Sequence, residues 1–194
     1  DAREKEIIAR LIDIRKAQVE WRQMHEGKYT ADFDSLIDFV KTAKLPFVRK
    51  EGSLTDAQLE AGMTEKKAMK IIEKAKKTGN WKEVEKEGLM NFKRDTMWVS
   101  VLDTIYPAGF NPDSLKYVPF GNGAIFEMAT RSDTTKSGAP LNLFQAQTPY
   151  ETYMGDLDKQ LLINLKDVQT KLGKYCGLRV GDIESPNNNA GNWE

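Results

Sequence analysis

Ile7, Leu11, Ile14, Gln18 and Trp21 recur at alternating steps of four and three, and Ile8, Ile12 and Met24 widen the stripe they form. Only one side of a helix takes that spacing. The pattern predicts a helix from about Ala2 to His25, stopped at Gly27, and at ~1.5 Å per residue it is roughly 35 Å long. A rod with one apolar face has to bury that face, and a sheet laid along it is the partner expected here. With 194 residues, 40% of them hydrophobic and 30% charged, the chain has the material for a core of its own.

Charge and rare residues exclude whole classes of function. Lys plus Arg and Asp plus Glu both number 29, so no net field draws the chain to nucleic acid, and no nucleic-acid partner is expected. Cys176 and His25 are the only residues of their kinds, too few for a structural zinc site and without a partner for an internal disulfide. No cofactor motif is present. No run of about 18 apolar residues crosses a membrane and no signal-peptide core precedes the helix. The opening DAREKE nevertheless runs into helical spacing without Gly, Pro or Asn, which predicts a chain continuing from a longer helix, with a membrane anchor upstream.

Beyond Gly27, Phe33, Leu36, Ile37 and Val40 predict a short second helix capped by Thr30 or Asp32, and Pro46 places Leu45 to Lys50 at an edge. Residues 54–88 read as a helical insertion: Thr55 caps a brief helix through Glu60, Thr64 caps another through Lys77, and Gly79 closes it. Residues 44–94 carry 13 basic and 8 acidic side chains, a mildly basic stretch. Thr96 to Leu102, apolar on both sides, predicts a largely buried strand. Leu115 to Phe120, Ala124 to Thr130 and Leu141 to Gln147 are expected as three further strands, the first two joined by a hairpin at Gly121-Asn122-Gly123 and the last two by a loop from Arg131 to Gly138. Leu157, Leu161, Leu162, Leu165 and Val168 predict a C-terminal helix ending before Gly173, and Leu178 to Ile183 closes the sheet. The tail from Ser185 to Glu194 has no period. The expected fold is α+β: one domain over 1–194, with a long N-terminal helix packed on an antiparallel β-meander, the 54–88 insertion and a C-terminal helix.

Candidate chemistry is sparse. His25 falls in the last turn of the first helix, where capping suits it better than general-base work. Cys176 reads as a small buried hydrophobe rather than a nucleophile paired with His25. Asp156 with Asp158, or Asp182 with Glu184 and Asn187 to Asn189, offer oxygen ligands for calcium but match no EF-hand spacing, so no metal is assigned. Lys66, Lys67, Lys70, Lys74, Lys76 and Lys77 are interleaved with Glu65 and Glu73 and read as a solvated face rather than an anion site.

Two resemblances bear on function. Trp21, Gly27, Tyr29 and Leu36 follow the aromatic, glycine, tyrosine and leucine pattern after the first helix of type IV pilin-like proteins, and the stretch 7–48 is similar to type II secretion pseudopilins. KRDTMWVSVLDTIY, FNPDSLKYVPFG and the tail NNNAGNWE look like an uncharacterised family of single-pass, membrane-anchored bacterial envelope proteins. The resemblance implies a non-enzymatic structural or adaptor ectodomain, periplasm-facing and anchored by an N-terminal transmembrane segment, that meets envelope subunits or its own copies through the N-terminal helix. Ile7, Leu11, Ile14 and Trp21 are the expected assembly or packing face; Gly27, Tyr29 and Leu36 are the turn motif. A ligand-binding domain with a groove between the insertion and the sheet, near Trp81, Trp98 and Tyr106, is the alternative, and a hydrolase using unpaired acids ranks third.

Overall fold

The computed structural model describes residues 2–194. In chain order the elements are α1 (Ala2–Met24), α2 (Phe33–Thr42), β1 (Lys44–Glu51), α3 (Asp56–Glu60), α4 (Glu65–Thr78), α5 (Lys82–Lys86), β2 (Lys93–Ser100), α6 (Val101–Ile105), a 3-10 turn (Pro112–Lys116), β3 (Glu127–Thr134), β4 (Pro140–Pro149), α7 (Tyr150–Met154), α8 (Lys159–Lys171) and β5 (Gly177–Gly181). The fold is α+β, as expected. The chain divides into two compact units, one built from residues up to Ala43 together with Ser100–Glu194, the other from Lys44–Val99.

In the larger unit β3, β4 and β5 form an antiparallel meander, with Glu127 opposite Gln147 and Gln145 opposite Gly181. Against β4 and β5 lies α1, which also meets α2, α6 and the 3-10 turn. Its apolar stripe is the middle of the core: Ile7, Leu11, Ile14 and Ala17 are 0% exposed. Leu36, Val40, Leu115, Phe144, Ala146, Tyr153 and Val180 are buried with them. Each such aliphatic side chain contributes about 1.5–3 kcal/mol by leaving water. Local signals start the neighbouring elements. Asp32 accepts from the Ser35 amide to cap α2, and Gly27 takes φ +80° after α1.

The smaller unit pairs β1 with β2 in a two-stranded antiparallel ribbon. Its helices carry the predicted caps. Thr55 and Gln58 form a reciprocal capping box on α3, Thr64 caps α4, and Gly79 ends α4 in the left-handed conformation. Ala68, Ala75, Val84, Leu89 and Phe92 make a separate core.

Several expectations are corrected. The inserted unit is wider than 54–88, because β1 and β2 belong with its helices. Thr96 to Leu102 is not a buried strand: β2 stops at Ser100, α6 begins at Val101, and Trp98 is 63% exposed. Alternation with apolar residues on both sides implied two covered faces, whereas Met97, Trp98 and Val99 on this ribbon face solvent. Leu115 to Phe120 is not a strand either. Asn111 accepts from the Asp113 amide and Pro112 starts a 3-10 turn, which leaves only a Tyr117–Ile125 bridge around the Gly-Asn-Gly joint. The next strand begins at Glu127 and continues through the first half of the expected 131–138 loop, as far as Thr134 opposite Pro140. Its polar side chains suit it, since it is a border strand with one solvated face. The C-terminal helix forms as predicted, but none of its residues is buried.

Gly181 illustrates how tightly β5 is seated. It adopts φ +72°, and a Cβ there would collide with the Phe144 carbonyl, whereas Gly109, at φ +81°, has open space around it. Gly109→Ala is expected to cost about 1–2 kcal/mol for the left-handed backbone alone. Gly181→Ala should cost more than that, measured as the difference between their urea-unfolding free energies.

Candidate functional site

The expected packing face and turn motif meet at the C-terminal half of α1. Gln18 occupies a step in the apolar stripe and is 0% exposed. Its Nε2 donates to the Thr30 carbonyl at 2.6 Å, and the Thr30 amide donates back to its Oε1 at 3.2 Å. The side chain thus holds the backbone that leaves Gly27, in the way a strand partner would. The period alone puts Gln18 on the stripe without giving it a role; the signal is a polar residue inside an otherwise apolar face.

Trp21 is half-buried, not core. His25 stacks on it with ring centroids 3.7 Å apart, and Phe39 meets both rings edge-on. His25 Nδ1 lies 2.7 Å from the Trp21 carbonyl, and because a carbonyl only accepts, the ring nitrogen donates. It closes the last turn of α1, the capping role expected. Tyr29 joins this end to the tail: its hydroxyl accepts from Arg22 Nη1 at 2.8 Å and from Asn189 Nδ2 at 3.0 Å. Arg15 Nη1 reaches the Asn189 carbonyl at 2.9 Å and the Glu194 carboxylate at 3.0 Å. Leu36, the third turn-motif residue, is fully buried. The tail that showed no period is ordered by pairing with β5. The Gly181 amide donates to the Ala190 carbonyl, the Asn192 amide donates to the Arg179 carbonyl, and Asn192 Nδ2 donates to the Gly177 carbonyl, each at 2.9 Å.

The polar groups with candidate chemistry are engaged separately. Cys176 Sγ sits 3.4 Å from Thr170 Oγ1 and 3.6 Å from the Lys166 carbonyl, sharing no partner with His25. Asp156 is gripped by Arg3, whose hydrogen bonds hold its carboxyl below the ordinary range, and Arg15 does the same to Glu194. Asp158 caps α8, and Asp182 accepts from the Glu184 amide. Among the described residues, no three of His, Cys, Asp and Glu converge for a metal ion. Tyr106, expected beside a groove, is buried in the larger unit, stacked on Phe110 at 3.9 Å and donating to the Asp13 carbonyl at 2.5 Å. Burial pushes its hydroxyl well above the usual tyrosine range, so it stays protonated.

Trp81 does line a cavity, of about 530 Å³, wholly within the smaller unit, with Met69, Ile72, Leu89 and Phe92 on its apolar walls. Arg94 forms part of the wall. Its side chain is only 4% exposed, lies 3.9 Å over the Phe92 ring, pairs with Glu65 at 3.0 Å and donates to the Glu51 and Gly52 carbonyls. These bonds hold Glu65 below its ordinary pKa and leave the buried Arg94 Nε without a partner. The lysines of α4 behave as a solvated face: Lys77 pairs with Glu73, and only Ala68 and Ala75 of that helix are fully buried.

Scans of the chain against protein-family profiles, curated proteins and solved structures found no match.

Replacing Gln18 by Leu keeps the volume and removes both bonds to Thr30, leaving the Thr30 amide and carbonyl without these partners in a half-buried turn. The expected loss is about 2–4 kcal/mol of folding stability, read from urea or thermal unfolding, although the substitution is nominally toward a better core residue.

Proposed function

We propose that the chain is a non-enzymatic structural or adaptor ectodomain of a membrane-anchored bacterial envelope protein, pseudopilin-like in design and facing the periplasm. One observation carries the reading: the long N-terminal helix is the spine of its unit, laid on β4 and β5 with Ile7, Leu11 and Ile14 fully buried. That is the arrangement implied by the pattern of Trp21, Gly27, Tyr29 and Leu36. The separate engagement of His25, Cys176 and the carboxylates supports a binding role over a catalytic one. Its partners are envelope subunits or further copies of the chain. Because the apolar stripe of α1 is used internally, association through this helix falls to its other side, where Lys5, Glu6, Ala9 and Lys16 are exposed.

The complete reading frame, fused at its C-terminus to alkaline phosphatase, is expected to fractionate with the membrane and to show phosphatase activity, which requires export to an oxidising compartment. Recovery as an inactive cytoplasmic fusion overturns the reading.

Ligand binding is the second reading, and the Trp81 cavity favours it. An apolar anion, anilinonaphthalene sulfonate, should bind there and quench indole fluorescence, with Trp81→Ala weakening it about tenfold. Equal affinity for the variant and the parent chain, by fluorescence titration, removes this second reading.

A further inference from the structure

The C-terminal helix α8 departs from the rest of the larger unit. Leu161, Val168 and Leu172 recur at steps of seven and four, which places them on one stripe, and Leu157 precedes them by a further turn. All are exposed, Leu161 at 67%. A single leucine in solvent needs no explanation, but a helical stripe of them marks a contact surface.

The stripe starts one residue from a contact with the beginning of α1. Arg3, in the first turn of α1, donates to the Tyr153 carbonyl at 2.8 Å and to both carboxylate oxygens of Asp156 at 2.7 and 3.0 Å. The same guanidinium lies 5.2 Å over the ring of Phe120. Phe120 is exposed and holds φ +63°, a left-handed conformation that a bulky residue takes only under constraint. The turn behind it is pressed onto α7, since a Cβ on Gly121 would meet Thr152 Cγ2 at 3.2 Å. Phe120 and Asp156 therefore both meet Arg3 in the first turn of α1, and Leu157, the first of the exposed leucines, follows Asp156 directly in the chain. In an anchored ectodomain that first turn is the end from which the chain runs to the bilayer.

The charges fit the same occupant. Lys159 and Lys174 border the leucines and make no ion pair among the described residues, whereas Lys171 is taken up by Asp167 at 2.6 Å and Asp158 accepts from the Gln160 and Leu161 amides. Lys166 is paired with Glu151. We propose that α8 and the Phe120 turn form a membrane-surface contact, with the leucine stripe seated at the acyl boundary of a phospholipid bilayer and the lysine stems reaching its head groups. This rests on the chain being a membrane-anchored ectodomain; it adds that the folded body itself touches the lipid.

The test is flotation of the 194-residue chain with vesicles of phosphatidylethanolamine and phosphatidylglycerol. The parent chain is expected to float. Leu161→Asp combined with Val168→Asp should lower the bound fraction at least about tenfold, because two carboxylates that resist burial then replace apolar groups that favour it. Ile163→Asp, an equally exposed site on the opposite face of the same helix, should bind like the parent and exclude a general effect of added charge. Circular dichroism verifies that all three chains are folded. Absence of flotation by the parent, or equal flotation by all three, overturns the proposal. So does a dimer in analytical ultracentrifugation that the double variant dissolves without any vesicle binding, since a second copy then covers the stripe. Failure here with the full reading frame still exported to the membrane removes only the α8 contact, whereas a cytoplasmic reading frame removes the anchored reading itself.

Discussion

Burial of one helical stripe from two directions governs the larger unit. The sheet strands β4 and β5 approach α1 from one side, and α2, α6 and the 3-10 turn approach it from others, so Ile7, Leu11 and Ile14 lie at the centre rather than at a boundary. A helix used this way cannot rotate without exposing core residues or burying charge. Gln18 fixes the exit from that helix: its amide pairs with Thr30 and sets the path from the end of α1 into α2. In a low-dielectric interior that pair is strong when complete and costly when broken, which makes the turn one of the more sharply specified parts of the chain.

The smaller unit obeys different physics. Its core is small residues on α4 against Val84, Leu89 and Phe92, and much of its order comes from local devices: the Thr55–Gln58 capping box, the Thr64 cap and the αL glycine at 79. Arg94 substitutes for missing hydrophobic mass by stacking on Phe92 while tying the Glu51–Gly52 backbone and Glu65 together. Thin cores of this kind leave apolar side chains such as Phe47 and Trp98 in solvent.

How much was legible in the sequence depended on the range of the determining interaction. Helix spacing and caps are local, so α1, α2, α3, α4 and α8 were readable from Ile7 to Trp21, Asp32, Thr55, Thr64 and Gly173. Strand burial is set by what lies across the sheet, so Trp98 was expected inside and is outside, and Leu115 to Phe120 was expected as a strand although Asn111 and Pro112 already encode a turn. At the site, the fate of Ile7, Leu11, Ile14 and Leu36 could be read from period alone. The pairing of Tyr29 with Asn189, 160 residues apart, could not, because nothing near either residue specifies the other. The tail had no pattern of its own; its order is borrowed from β5.

That borrowed order changes what the sheet can do. With Ala190, Gly191 and Asn192 laid along β5, the hydrogen-bonding groups on that margin are already satisfied, and the opposite margin, β3, carries the Arg131–Asp133 ion pair. A foreign strand would have to displace the tail on one side or approach charged side chains on the other, two familiar defences against runaway β-polymerisation. Extension of the meander from one molecule into the next is therefore disfavoured at both of its margins.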